Sequence, residues 1–422
     1  MTAQAETRGD PFAPFVPALL RERVARGVPD ERVEEHASAA MLADISGFTR
    51  LTEQLARRGP EGVELLSEAV NRELEALAET VEAYGGDVVK FAGDAIVALW
   101  ITRGEPMIDA VRRATRCALA IQRMQHTSAL DGGEPLRVRI GVGAGVAALM
   151  TLGAAGRREF FVGGDALTQM GVAERGVEPG DVGLSPEAWA VLAAEAEGEP
   201  LASGVVRVRR VVEREAERAR PLAAAPTASD AIRPFIPELV IARLEAGQAG
   251  WLSELRTISV VFLNVRPADA RLLIHRASLQ DIVERFQDWV ARFGGEVNKI
   301  LLEDKGLLLL AAFGLPRASH ADDAARAVFA AREIADAMNE RGHEFGVGVT
   351  TGPALCGIFG GRRRREYSVL GAVVNRAARL MLLTERDVLC DEATARATAT
   401  QVIYESLPPV VLKGMTRASA VF

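Results

Sequence analysis

The chain is one unit written twice, and no other feature of the sequence limits its fold as much. Phe15-Val16-Pro17-Ala18-Leu19 returns as Phe235-Ile236-Pro237-Glu238-Leu239, and the apolar run ending at Ile45 returns as the run ending at Val265. Gly85–Lys90 (GGDVVK) returns as Gly294–Lys299 (GGEVNK), Ile140–Gly145 as Val347–Gly352, and Phe160–Gly164 as Tyr367–Gly371. The spacing between equivalents shrinks only where a loop is shorter in the second copy, as expected of a diverged duplication. Between the copies, Glu213–Asp230 is charged and then rich in Ala and Pro, the composition of a linker. These marks divide the chain into an N-terminal arm (1–36), a first domain (37–212), a linker (213–231) and a second domain (232–422) that opens with a repeat of the arm.

Each copy carries the same periodicities. An apolar or alternating run ends at a polar residue, Asp44 or Asn264. In the first copy Val63, Leu66, Val70, Leu74, Leu77 and Val81 then step by three or four, after Pro60 and before Gly85-Gly86, which predicts a long helix. Leu279, Ile282, Val283, Phe286, Val290 and Phe293 predict its counterpart. Two strands flanking the Gly93-Asp94 turn follow, at Asp87–Phe91 and Ala95–Trp100. A helix near Met107–Met124, a Gly-interrupted strand from Arg137 and a helix after Gly164 complete the unit. The order β-α-β-β-α-β predicts an α+β fold, two ferredoxin-like or palm-type domains, each an antiparallel sheet with helices on one face.

Composition removes several functional classes. Fifty Lys and Arg stand against 57 Asp and Glu, so a net charge of −7 offers no basic field to nucleic acid. The one dense basic run, Arg362–Arg365, lies between two strands and reads as a solvated hairpin loop. No apolar stretch approaches the ~18 residues of a membrane span, and Met1–Asp10 lacks the core of a signal peptide. Cys117, Cys356 and Cys390 are far apart and form no metal-binding pattern; Cys117 and Cys356 read as small buried hydrophobes, and a reducing, cytoplasmic setting is expected. The last expected strand is 418–422, which leaves room for a natural chain that continues beyond it.

The two copies have diverged in a complementary way. In the first, Asp44 ends a strand and Asp94 sits in the neighbouring hairpin turn, so the topology brings the two to one sheet edge. Either aspartate alone is an ordinary turn residue, but facing carboxylates call for a cation. Oxygen ligands without nearby His or Cys suit Mg²⁺ or Mn²⁺ together with phosphate. The following Gly47, Phe48 and Thr49 lead towards a helix, where backbone N–H groups can hold a triphosphate. The second copy has Asn264 and Glu303 at the matching positions. It has instead Asn375 and Arg379, four apart on one helix face, where the first copy has Thr168 and Val172. Arg379 suits charge on a phosphoryl group and Asn375 suits a sugar. Two half-sites of this kind complete one site if the copies face each other head to tail.

ADISGFT (Ala43–Thr49), KFAGDA (Lys90–Ala95) and YSVLGAVVNRAAR (Tyr367–Arg379) resemble the class III nucleotidyl cyclases, and the tandem order most resembles the soluble, bicarbonate-responsive adenylyl cyclases. The likeness runs from about Pro11 to Phe422. It implies that ATP is converted to 3′,5′-cyclic AMP and pyrophosphate at one site between the domains, in a monomer, without nucleic-acid or membrane partners. Asp44 and Asp94, with the carbonyl of Ile45, then correspond to ligands of two Mg²⁺ ions that assist in-line attack of the ribose 3′-oxygen. Asn375 and Arg379 correspond to the ribose-orienting and transition-state residues, and Lys413 and Arg139 to cations that grip phosphates.

The resemblance also implies that Lys299 and Ser368 stand at the positions where the family chooses its base. An ammonium only donates, which suits adenine N1, whereas guanine N1 carries a hydrogen. In the bicarbonate-responsive cyclases that the chain resembles, a lysine and an arginine of a pseudo-symmetric second pocket work together. Here Lys90 matches the lysine as an anion ligand, but Gly171 stands at the arginine's position and Arg175 lies a turn further on, which weighs against activation by bicarbonate. Competing readings are a guanylyl cyclase, opposed by Lys299, and a nucleotide- or anion-sensing pseudo-cyclase, opposed by the complete residue set. GGDVV and GGDAL are poor versions of a diguanylate cyclase signature, and no GxxxxGK(S/T) occurs.

Overall fold

The computed structural model describes residues 10–46, 60–125, 137–212, 229–248, 253–266, 275–303, 306–412 and 418–422. An arm helix α1 (Ala18–Ala25) leads to β1 (Glu34–Ser46), α2 (Pro60–Ala83), β2 (Asp87–Ala92), β3 (Ala95–Ile101) and α3 (Met107–Gln125). Then come β4 (Arg137–Leu152), β5 (Glu159–Gly163), α4 (Asp165–Arg175), β6 (Val182–Leu184), α5 (Pro186–Leu192), β7 (Ala196–Pro200) and β8 (Val206–Val211). The second lobe repeats the order with α6 (Ser229–Ile232), α7 (Glu238–Glu245), β9 (Glu254–Arg266), α8 (Arg276–Arg292), β10 (Glu296–Glu303), β11 (Gly306–Phe313) and α9 (Asp323–Glu340). It continues through β12 (Glu344–Gly360), β13 (Arg365–Leu370), α10 (Ala372–Leu380), β14 (Val388–Cys390), α11 (Glu392–Ala397), β15 (Leu407–Val410) and β16 (Ser419–Val421).

The first sheet runs β2-β3-β1-β4-β6-β8-β7 with β5 on β4, and the second runs β10-β11-β9-β12-β13 with β14 on β12. The β4–β6 and β12–β14 pairs are parallel, so the sheets are mixed rather than wholly antiparallel. Alternation along the strands assigns the two faces. In β1, Ala39, Met41, Ala43 and Ile45 join the core beneath α2 and α3, while Ala40 joins a cluster shared between the lobes. In β9, Val261, Leu263 and Val265 pack under α8 and α9, while Val260 and Phe262 enter the same shared cluster. Each sheet therefore gives one face to its own long helices and the other to the neighbouring lobe.

The third helix of each unit departs from the expectation of helices on one face. Leu167 and Met170 of α4, and Val373 and Ala377 of α10, belong to the shared cluster, on the face opposite the long helices. Glycines make this possible: a Cβ at Gly348 would lie 2.2 Å from the carbonyl of Ala377, and one at Gly141 would lie 2.2 Å from the amide of Glu174. Only bare backbone lets those helices lie so close to β12 and β4.

The lobes grip each other reciprocally. The β4–β5 loop of the first docks on α8: Gln287 accepts from the Ala154 amide at 3.0 Å and donates to the Arg157 carbonyl at 2.8 Å. The β12–β13 loop of the second docks on α2, where Asn71 accepts from the Gly360 amide at 3.0 Å and Glu75 from the Arg362 amide at 3.2 Å. This exchange is a head-to-tail pairing of two units within one chain. It also corrects the reading of Arg362–Arg365 as a solvated loop. Arg364 is buried, donating to the carbonyls of Val88 at 3.0 Å and Phe15 at 3.3 Å, with its guanidinium 5.3 Å from the centroid of the Phe91 ring. Cys117, Cys356 and Cys390 are all buried free thiols. Among the described residues no helix is long and apolar enough to cross a membrane.

Candidate active site

The alternation that buries Met41 and Ala43 turns Asp44 to the face shared with the second lobe. Its backbone lies opposite Ala95 in β3, one residue from Asp94. Asp94 follows Gly93, whose φ of 72° makes the turn that presents it. Burial, and then repulsion from Asp44, push the Asp94 carboxyl up to about 7. On its other side Asp44 faces Arg139 of β4, whose guanidinium lies 3.3 Å from the carboxylate and also pairs with Glu174 of α4.

The second lobe supplies the opposite wall. Close packing of α10 on β12, with the Thr350 hydroxyl donating to the Val373 carbonyl at 2.7 Å, fixes the helix that carries Asn375 and Arg379. Arg376 ties the same helix to Asp391 at 2.8 Å. Asp44, Ile45 and Asp94 from one lobe and Lys299, Asn375 and Arg379 from the other line one cleft of about 1000 Å³. The structure thus brings together the two half-sites that the sequence separates. Gly47, Phe48, Thr49 and Lys413 lie outside the described residues.

Lys299 stands at a bulge in β10, as Lys90 does in β2. Bulges re-aim a side chain, and both lysines turn into the seam. The Lys299 ammonium donates to the carbonyl of Phe91, three residues before Asp94, and lies 3.7 Å from Glu366. Burial is the main influence on Lys299 and pulls it down to about 8. Lys90 pairs with Glu159 at 3.4 Å and Glu366 at 3.9 Å; burial opposes its charge, but these two carboxylates hold its pKa above the ordinary lysine value. Gly171 and Arg175 line the same cleft beside it. Ser368 is buried in β13, and its hydroxyl oxygen has no hydrogen-bond partner among the described residues.

Sequence reasoning missed Glu366, Glu159, Arg364 and the Phe91 carbonyl. The available signal for Glu366 was a carboxylate opening the otherwise uncharged run EYSVLG. Among the described residues no three His, Cys, Asp or Glu side chains cluster as a self-sufficient metal cage. Asp44, Ile45 and Asp94 nevertheless line one cleft, and two carboxylates with a backbone carbonyl are oxygen donors of the kind that fits a hard divalent cation completed by substrate oxygens.

Two βαββαβ units clasped over one cleft define a class III cyclase core. The adenylate and guanylate cyclase catalytic domain family matches residues 32–213 and 255–419, and the chain belongs to it. It is 28% identical over 426 residues to adenylate cyclase type 10 of rabbit, covering 90% of this chain and 26% of that protein. The human protein of the same name is 28% identical over 455 residues, covering 95% and 28%. The chain thus spans about a quarter of the length of these relatives. A class III adenylyl cyclase-like ATP-binding protein from Pseudomonas aeruginosa shares the fold, with a TM-score of 0.62 at 14% identity over 87% of this chain and 86% of that one.

Proposed function

We propose that the chain is an adenylyl cyclase, converting ATP to 3′,5′-cyclic AMP and pyrophosphate in the cleft between its lobes, and that a monomer suffices. The observation that carries this reading is the shared lining of one cleft by Asp44 and Asp94 from the first lobe and Asn375 and Arg379 from the second. Asp44, Asp94 and the Ile45 carbonyl would hold Mg²⁺ or Mn²⁺, which supplies charge neutralisation and acidifies the attacking hydroxyl. Asn375 orients the ribose, and Arg379 stabilises charge that develops on the α-phosphoryl group. Lys299 donates to adenine N1, with the unpartnered Ser368 hydroxyl as an acceptor for the exocyclic amine. Gly47, Phe48 and Thr49 cradle the phosphates by their amides, and Lys413 grips their far end. Arg139, held by Asp44 and Glu174, is the first-lobe cation nearest the carboxylates; neutralisation of Asp44 releases it towards the phosphates.

Bicarbonate is not an activator in this reading, because Lys90 already spends its charge on Glu159 and Glu366. A cytoplasmic location accords with three buried, unbridged thiols. The test is incubation of purified protein with ATP or GTP and Mg²⁺ or Mn²⁺, with and without bicarbonate at constant pH, and identification of the product. Cyclic AMP is expected from ATP in preference to cyclic GMP from GTP. Lys299→Glu should shift that preference towards GTP, and an unchanged ratio would remove the assignment of the base.

A further inference from the structure

Glu366 sits where the two lobes' equivalent lysines meet. One of its oxygens lies 3.7 Å from the Lys299 ammonium and 3.9 Å from that of Lys90. The other accepts from Arg364 at 3.2 Å and from the Phe91 amide at 3.3 Å. The carbonyl of Phe91 in turn accepts from Lys299. One carboxylate of the second lobe therefore anchors the strand that leads to Asp94 and faces the cation assigned to the base. A buried ammonium is costly unless an opposite charge faces it, and without one it sheds its proton. Around Lys299 the charged groups are Glu366 and Arg364 from β13 and its loop, Lys90 from β2 and Asp94 from the adjoining turn. Two of these four are like charges, and Glu366, at 3.7 Å, is the opposite charge that faces the ammonium most closely.

We propose that Glu366 is a specificity-positioning residue: it holds Lys299 as an ammonium donor at the base end of the cleft, and so enforces ATP over GTP. The inference rests on the cyclase reading above. If Lys299 loses its proton, the amine can accept from guanine N1–H and its discrimination against GTP declines. Lys90 shares the same carboxylate oxygen and weakens that hold, which makes the second pocket an opposing influence on base choice.

The test compares pH profiles of kcat/KM for ATP and GTP in wild type, Glu366→Gln, Glu366→Asp and Lys90→Met, with thermal unfolding as a check on folding. Glu366→Gln is expected to move the alkaline limb for ATP to lower pH by about one unit and to cut the ATP:GTP ratio roughly tenfold near pH 8. Glu366→Asp should restore most of the ratio, and Lys90→Met should move the limb the other way. Loss of kcat for both nucleotides alike in Glu366→Gln, with the ratio and limb unchanged, would reduce Glu366 to a structural clasp and overturn the proposal. Should Glu366→Gln fail to fold, an unmoved or downward limb in Lys90→Met overturns it equally. If the wild type forms no cyclic product, the cyclase reading fails. The binding ratio of 3′-deoxy-ATP to 3′-deoxy-GTP, which cannot cyclise, still reads Glu366: a ratio unchanged by Glu366→Gln contradicts its role.

Discussion

Asp94 stands one residue from the position directly across the sheet from Asp44, and the two carboxylates repel. Without a cation, burial and that repulsion hold Asp94 at about 7. A carboxyl whose folded pKa exceeds its unfolded one contributes stability that is fully present below the ordinary carboxylate range and is lost as pH rises through the folded value. In chelator, the wild type should therefore lose thermal stability between about pH 4 and pH 7 relative to Asp94→Asn. Mg²⁺ should restore it, with release of about half a proton per site near pH 7. Parallel pH profiles for the two proteins would contradict the assignment.

Arg379 faces the cleft from α10, and a planar fork of donors suits a phosphoryl group better than a point charge does. Arg379→Ala should lower kcat by about 10²–10³-fold with little change in KM for ATP. Arg379→Lys should recover only a small part. Steady-state kinetics of the three proteins decide it, and a change confined to KM would make Arg379 a binding residue only.

Gly348 holds α10 against β12, since a Cβ there would lie 2.2 Å from the Ala377 carbonyl. Gly348→Ala should cost about 1–3 kcal/mol and displace Asn375 and Arg379, lowering kcat by more than tenfold. At Gly352 the nearest atom to a new Cβ is a Val373 carbon at 3.7 Å, so Gly352→Ala should be tolerated. Chemical denaturation and turnover of both variants test this, and equal effects would separate the site from the packing.

Gln287 of α8 bonds both the Ala154 amide and the Arg157 carbonyl of the other lobe. Gln287→Ala leaves both groups to find water and should cost about 1–3 kcal/mol. If the clasp sets the cleft, activity should fall at temperatures below the unfolding transition as well, which parallel melting and activity curves will show.

The sequence exposed the duplication, the βαββαβ order and the pairing of carboxylates with the Asn–Arg helix, because each is written in local spacing or in repeated motifs. The same period-2 alternation that buries Met41 put Asp44 on the shared face. What local pattern could not reveal was partnership across the seam. Arg364 reads as one of four exposed arginines, yet its carbonyl partners Val88 and Phe15 are 276 and 349 residues away. Glu366 likewise meets Lys90 and Lys299 only after the lobes dock. The face taken by the third helix is not legible in the sequence, because glycines on β4 and β12 read as strand interruptions rather than as seats for a helix.

The central claim is that one site draws its carboxylates from the first lobe and its Asn–Arg pair from the second. Cyclic AMP formation by Asp44→Ala, Asp94→Ala and Arg379→Ala, beside Thr168→Ala in the pseudo-symmetric helix, tests it most directly. Asp44→Ala and Asp94→Ala should each lose at least about a thousandfold in rate and Arg379→Ala about 10²–10³-fold, all while remaining folded, and Thr168→Ala should stay near wild type. Wild-type turnover in Asp44→Ala or Asp94→Ala, or loss of activity in Thr168→Ala alone, would contradict it.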